Sequence, residues 1–170
     1  VIISKEICNK IRQQVLEMDL SNVWNYNGPK REIEEIQRSF YSGYCREYIA
    51  MKELNVPDEY IFSMWLEKIP TKGKWPWDFE HNNFKYEVKP LYTDDWKSFA
   101  HDTSYMLKPQ FDYLALIWTK AGKIMFNENN IEGCVEAVIP KEDYMINKII
   151  TSEGGIKLPQ DLLKKYKFKK

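Results

Sequence analysis

Apolar residues recur at helical steps early in the chain and at alternate positions in its middle. Ile7, Ile11, Val15 and Met18 form one stripe behind Ser4, a side chain suited to capping, and predict a helix over 4–18. Residues 25–29, reading Asn-Tyr-Asn-Gly-Pro, signal a loop, and a polar segment over 30–38 follows it. Phe40, Tyr44, Tyr48, Met51 and Leu54 step by three and four, predicting a helix over 39–54 with one inward face. Residues 60–69 (YIFSMWLEKI) fit helix or strand, and their aromatic and β-branched content favours a first strand. From 75 to 90 the alternation is that of two strands around Asn82-Asn83, a pair that tolerates the positive φ of a tight hairpin turn. A helix over 94–107 should follow, then a continuous apolar run over 111–118, the mark of a central strand buried on both faces. Residues 123–126 read as an adjacent strand and 135–139 as a short one, with a helix beginning near Lys141 and another opening at Pro159. The fold class is therefore α/β, a mixed central sheet flanked by helices.

Hairpin register turns this pattern into chemistry. With a two-residue turn, position 78 opposes 87 and 76 opposes 89, and opposed residues share a face. One face carries Asp78, Glu80, Lys85, Glu87 and Lys89; the other carries Trp77, Phe79, His81, Phe84, Tyr86 and Val88 and is the core side. Carboxylates at 78 and 87 repel unless a positive charge lies between them, and Mg²⁺ takes oxygen ligands of this kind. Lys89 is on the same face. The competing reading is a solvated outer face with cross-strand ion pairs such as Glu80 with Lys85. A three-residue loop would move Glu87 to the core side.

Two further features bear on a site. Glu47 falls within the apolar stripe of the second helix, where a carboxylate is costly unless paired or bound to a cation. It either approaches the hairpin acids or reaches water from the stripe's edge. On the helix over 94–107, Lys97, His101, Ser104 and Lys108 form a polar stripe suited to phosphate contacts, or else an ordinary solvated face.

Composition narrows the function classes. The chain has 170 residues, suited to one domain, with 25 basic and 25 acidic side chains, so any nucleic-acid contact must come from a local patch. Six Trp, eleven Tyr and eight Phe imply a bulky core. Three widely spaced cysteines favour reduced thiols and an intracellular location, cytoplasmic or nucleoid-associated. No apolar run approaches the roughly 20 residues that span a bilayer. His81 and His101 lie in no metal-ligand spacing, and no glycine-rich phosphate loop or activated nucleophile motif is present. Five lysines fall in the last seven residues, so a single domain over 1–170 would carry an N-terminal helical segment over 1–38 and a basic tail over 164–170.

An Asp, a short hairpin, and then Glu87-Val88-Lys89 resembles the PD-(D/E)xK nuclease superfamily, the fold of restriction endonucleases and junction resolvases. Here the proline is one residue removed from the acid, in Pro76-Trp77-Asp78, and the gap from Asp78 to Glu87 is short for the family. The resemblance implies a helix–strand–hairpin–helix–strand core. It further implies Mg²⁺ or Mn²⁺ held by Asp78, Glu87, the Val88 carbonyl and Glu47, with Lys89 orienting the attacking water. The activity implied is endonucleolytic cleavage of DNA, by a homodimer or with a targeting partner protein. An RNA endonuclease with the same acids is an alternative, as is a non-catalytic nucleic-acid-binding or assembly module, or an unrelated α/β domain with a charged ribbon.

Overall fold

A computed structural model describes residues 1–18, 32–68, 77–91, 104–150 and 155–169. In chain order the elements are β1 (Ile2–Ile3), α1 (Lys5–Glu17), α2 (Ile33–Glu53), α3 (Asp58–Lys68), β2 (Phe79–His81), β3 (Phe84–Pro90), α4 (Ser104–Leu107), β4 (Tyr113–Thr119), β5 (Ile131–Pro140), α5 (Lys141–Asn147), β6 (Ile149–Ile150), β7 (Ile156–Lys157) and α6 (Gln160–Lys165). Five strands form a mixed sheet in the order β1-β5-β4-β3-β2, with β3 and β4 parallel and the other neighbours antiparallel. Strands β6 and β7 form a separate ribbon.

The α/β class expected from the pattern is the class observed, and β4 is its centre. Leu114 and Leu116 of β4 enter one core, and Ala115 and Ile117 enter the other. The first core joins α1, α2 and α3 to the sheet; the second holds Met106, Tyr144 and Leu162 from α4, α5 and α6. On β5 every odd position is buried, yet Val135 belongs to the first core and Ala137 to the second. A bulge explains the change of face. Leu116 pairs with Ala137 and Ile117 with Val135, which leaves Glu136 as the extra residue. The outer edge of β5 is covered at one end by β1 and at the other by the C-terminal chain, where the Phe168 N–H donates to the Glu136 carbonyl at 2.8 Å.

Helix α1 matches its expected span, and the Ser4 hydroxyl accepts from the Ile7 N–H at 3.3 Å. Helix α2 starts earlier than expected, at Ile33.

Residues 60–69 are not a first strand. They lie largely in α3, so the expected helix–strand–hairpin order is corrected to helix–helix–hairpin. Pro57 precedes the helix, Asp58 and Glu59 occupy its first turn, and Ile61, Met64 and Trp65 are buried at helical spacing. Capping signals and periodicity prevail there over β-rich composition.

Residues 123–126 also form no strand. The chain turns at Gly122 (φ 63°), Ile124 plugs the first core, and pairing resumes only at Ile131. Of the helix expected over 94–107, α4 is the described part; residues 92–103 lie outside the described residues.

Candidate functional site

The site is built on the β2–β3 hairpin. Asn82 and Asn83 both take positive φ, 51° and 64°, giving the two-residue turn the sequence predicts. Phe79 pairs with Tyr86, Glu80 with Lys85 and His81 with Phe84, and the expected pairing of 78 with 87 lies beyond this ladder. The expected alternation holds for Phe79, Tyr86 and Val88, which are buried in the first core, and for Glu87 and Lys89 on the other face of β3, but Phe84, expected on the core side, is exposed beside the turn. Trp77 departs from it. It lies ahead of β2, so the pleat does not set its direction, and it packs against the second core with the Lys85 ammonium 4.0 Å from its ring centre.

Asp78 ends the ladder. Its N–H donates to the Tyr86 carbonyl at 2.8 Å, and its Oδ2 accepts from the Val88 N–H at 2.7 Å. The carboxylate thus takes the position that a strand carbonyl would otherwise occupy beside β3. Val88, expected to contribute through its carbonyl, anchors Asp78 through its N–H.

Glu87 is only 3% exposed, and its carboxylate pairs with the Lys89 ammonium. Burial pushes the Glu87 carboxyl up to about 8, helped by the negative charges of Asp78 and Glu47 and opposed by Lys89. A solvated outer face does not hold an acid in this way. The solvent-face reading of the hairpin is not what is observed at position 87.

Glu47 lies on α2, buried, and its Oε2 accepts from the Trp65 indole N–H of α3 at 2.9 Å. The Tyr44 phenol is raised first by burial, then by the charges of Glu47 and Asp78. Tyr44, Glu47, Asp78 and Glu87 therefore share one electrostatic neighbourhood, as the sequence placed Glu47 in an inward stripe and the two acids on one hairpin face.

Each acid rests on its own partner: Asp78 on an amide, Glu87 on Lys89, Glu47 on Trp65. Among the described residues no group of three or more His, Cys, Asp or Glu side chains is arranged to hold a metal ion. Of the expected phosphate-contacting stripe, Lys108 is exposed just past α4, and Lys97 and His101 lie outside the described residues. Pattern reading missed Trp65 as a partner of Glu47. The signal was there, since Ile61, Met64 and Trp65 follow helical steps, but reading 60–69 as a strand hid it.

The chain matches no protein-family model, no curated protein and no solved structure. The site must be judged on its own chemistry. No helix among the described residues is long and apolar enough to cross a membrane.

Proposed function

We propose that this chain is a divalent-metal-dependent endonuclease of the PD-(D/E)xK kind, hydrolysing phosphodiester bonds in DNA. One observation carries the reading: Glu87 is a buried acid within the field of Asp78 and Glu47, with Lys89 beside it. Burying carboxylates near one another is unfavourable unless positive charge offsets them. Carboxylate oxygens are the donors that a hard divalent cation such as Mg²⁺ or Mn²⁺ prefers.

Asp78 and Glu87 would hold the ion, with the Val88 carbonyl and Glu47 as further donors. A cation held there would supply a water of lowered pKa and polarisation of a phosphoryl oxygen. Lys89 does the remaining work of the chain itself. Its ammonium, kept near Glu87 and 15% exposed, orients the attacking water and offsets charge gathering on the phosphate. Burial of Glu47 and Glu87 excludes bulk water around them, which strengthens their interactions. Lys108 is available for backbone phosphates outside the reacting centre. Cutting both strands of a duplex calls for a homodimer or for a partner protein that supplies targeting.

The test is cleavage of supercoiled plasmid, branched DNA and single-stranded RNA in Mg²⁺ or Mn²⁺ by wild type, Asp78→Asn and Lys89→Ala. Metal-dependent cutting of DNA that falls by more than about 100-fold in both variants is the expected result. Cutting confined to RNA would move the substrate class. Cutting that persists in both variants would remove the site from the chemistry.

A further inference from the structure

A groove of about 350 Å³ opens between the start of α3 and the tip of the β2–β3 hairpin, lined by Pro57, Tyr60, Glu80, His81, Asn82 and Asn83. Its size is at the lower end of small-ligand pockets, which run from roughly 300 to 1,000 Å³. These lining residues include no lysine or arginine, and Glu80 is their one carboxylate. Glu80 is half-buried and has no ion-pair partner among the described residues. Lys85, which the strand register sets directly opposite, lies instead with its ammonium 4.0 Å from the Trp77 ring centre. At the α3 end of the groove, Lys52 is taken by Asp58 at 3.1 Å. A partly desolvated carboxylate without a countercharge is unfavourable, and a cation from outside would relieve it. The other lining groups suit the same guest. The Tyr60 ring, 47% exposed, can take part in a cation–π contact. Asn82 Nδ2 is 3.1 Å from His81 Nε2, so the amide turns its nitrogen to the ring and keeps its oxygen as an acceptor. Acceptors and an aromatic ring, with no positive side chain among them, fit a cation and not a phosphate.

We propose that this groove receives an arginine side chain presented by a partner protein. Arginine fits better than lysine because its planar fork meets a carboxylate through two hydrogen bonds and stacks on an aromatic ring. A partner protein fits better than a free guanidinium because the rim carries more aromatic surface than one side chain covers. Phe84, next to Asn83 and paired with His81, is 45% exposed and adds to the area that Tyr60 leaves open. Buried arginine and tyrosine are the anchors on which protein interfaces most often depend. The inference does not rest on the nuclease reading, since neither Asp78 nor Glu87 lines the groove.

The experiment is an amide NMR titration of the whole chain with three capped amino acids: N-acetyl-arginine amide, its lysine counterpart and its uncharged citrulline counterpart. A fourth probe is a capped peptide, Gly-Leu-Arg-Leu-Gly, and a fifth is the dinucleotide TpT. Capped arginine should shift the amides of Tyr60, Glu80, His81, Asn82 and Asn83 saturably, lysine more weakly and citrulline not at all. The peptide should bind more tightly than capped arginine and extend the shifts to Phe84. Glu80→Gln should weaken both by at least about 5-fold, and Tyr60→Leu by about 2- to 5-fold. Both side chains are partly exposed, so the two variants test the groove independently should either fail to fold. Asp78→Asn should bind like wild type. The inference fails if no saturable shift appears at these amides, or if citrulline binds as tightly as arginine. Equal affinity for the peptide and capped arginine would remove the partner protein and leave a free guanidinium as the ligand. Tighter binding of TpT at the same amides would overturn the inference in favour of a nucleic-acid groove.

Discussion

Glu87 shows how one side chain can set the pH response of the protein. Burial, Asp78 and Glu47 together outweigh Lys89, and the carboxyl rises from 4.5 to about 8. The folded state thus holds this proton more tightly than the unfolded state does. Stability falls as pH rises from 4.5 toward 8, then levels off once the acid is ionised in both states. Glu87→Gln keeps the shape and removes the ionisation. Its unfolding free energy, measured by urea titration without metal, should be flatter across that window than that of wild type. Near pH 9 it should exceed wild type by more than about 1 kcal/mol, a gain reduced by the partner that Lys89 loses. Parallel pH profiles for the two proteins would mean that Glu87 is ionised throughout, and that Lys89 outweighs the other acids.

At the scale of elements, the hairpin was legible in the sequence because two independent signals agreed. Alternation fixed the strands, Asn82-Asn83 fixed the turn, and together they fixed the face of β3 on which Glu87 and Lys89 lie. Helix α3 was not legible for the opposite reason, since its aromatic residues favour strands and its periodicity favours a helix. The burial of Ile61, Met64 and Trp65 against α2 decided the conflict. The bulge at Glu136 left no mark in the sequence either, because the odd positions of β5 stay apolar through it while the face they serve changes. The turn offers a direct test. Asn83 sits at φ 64° and is exposed, so Asn83→Ala changes little except the cost of a left-handed backbone. That cost is about 1 kcal/mol, to be read as a lower urea midpoint with an unchanged slope. Asn83→Gly should leave stability equal or slightly higher. If alanine cost nothing, the turn would not be what sets the register of the hairpin that carries Glu87.

For the whole molecule, the arrangement separates where the fold is tied together from where the acids meet. Glu87 lies on β3, Asp78 just ahead of β2 and Glu47 on α2, whereas the chain's first residues, β4, β5 and Ile49 of α2 converge at Gly133. Its N–H donates to the Val1 carbonyl at 2.9 Å, and its carbonyl accepts from the terminal ammonium at 2.7 Å. A Cβ there would lie 2.7 Å from both the Ile49 Cδ1 and the Trp118 carbonyl oxygen, and 3.0 Å from the Thr119 methyl. The Ile49 side chain can give way by a rotamer change, but the Trp118 carbonyl belongs to the paired strand β4 and cannot. Gly133→Ala should therefore lower stability by about 1–3 kcal/mol, seen as a reduced melting temperature. Glu47 is on the same helix as Ile49, so the strain is borne within the scaffold that carries the site. Under the proposed metal-site reading, the two effects can be told apart. If α2 moves as a rigid body, Mn²⁺ affinity falls along with the melting temperature. If the strain is absorbed at Ile49, as side-chain flexibility favours, affinity measured well below the melting temperature stays within about twofold of wild type, the margin expected for independent sites. The second result is the expected one, because Glu47 is held from α3 by Trp65 as well as by its own backbone.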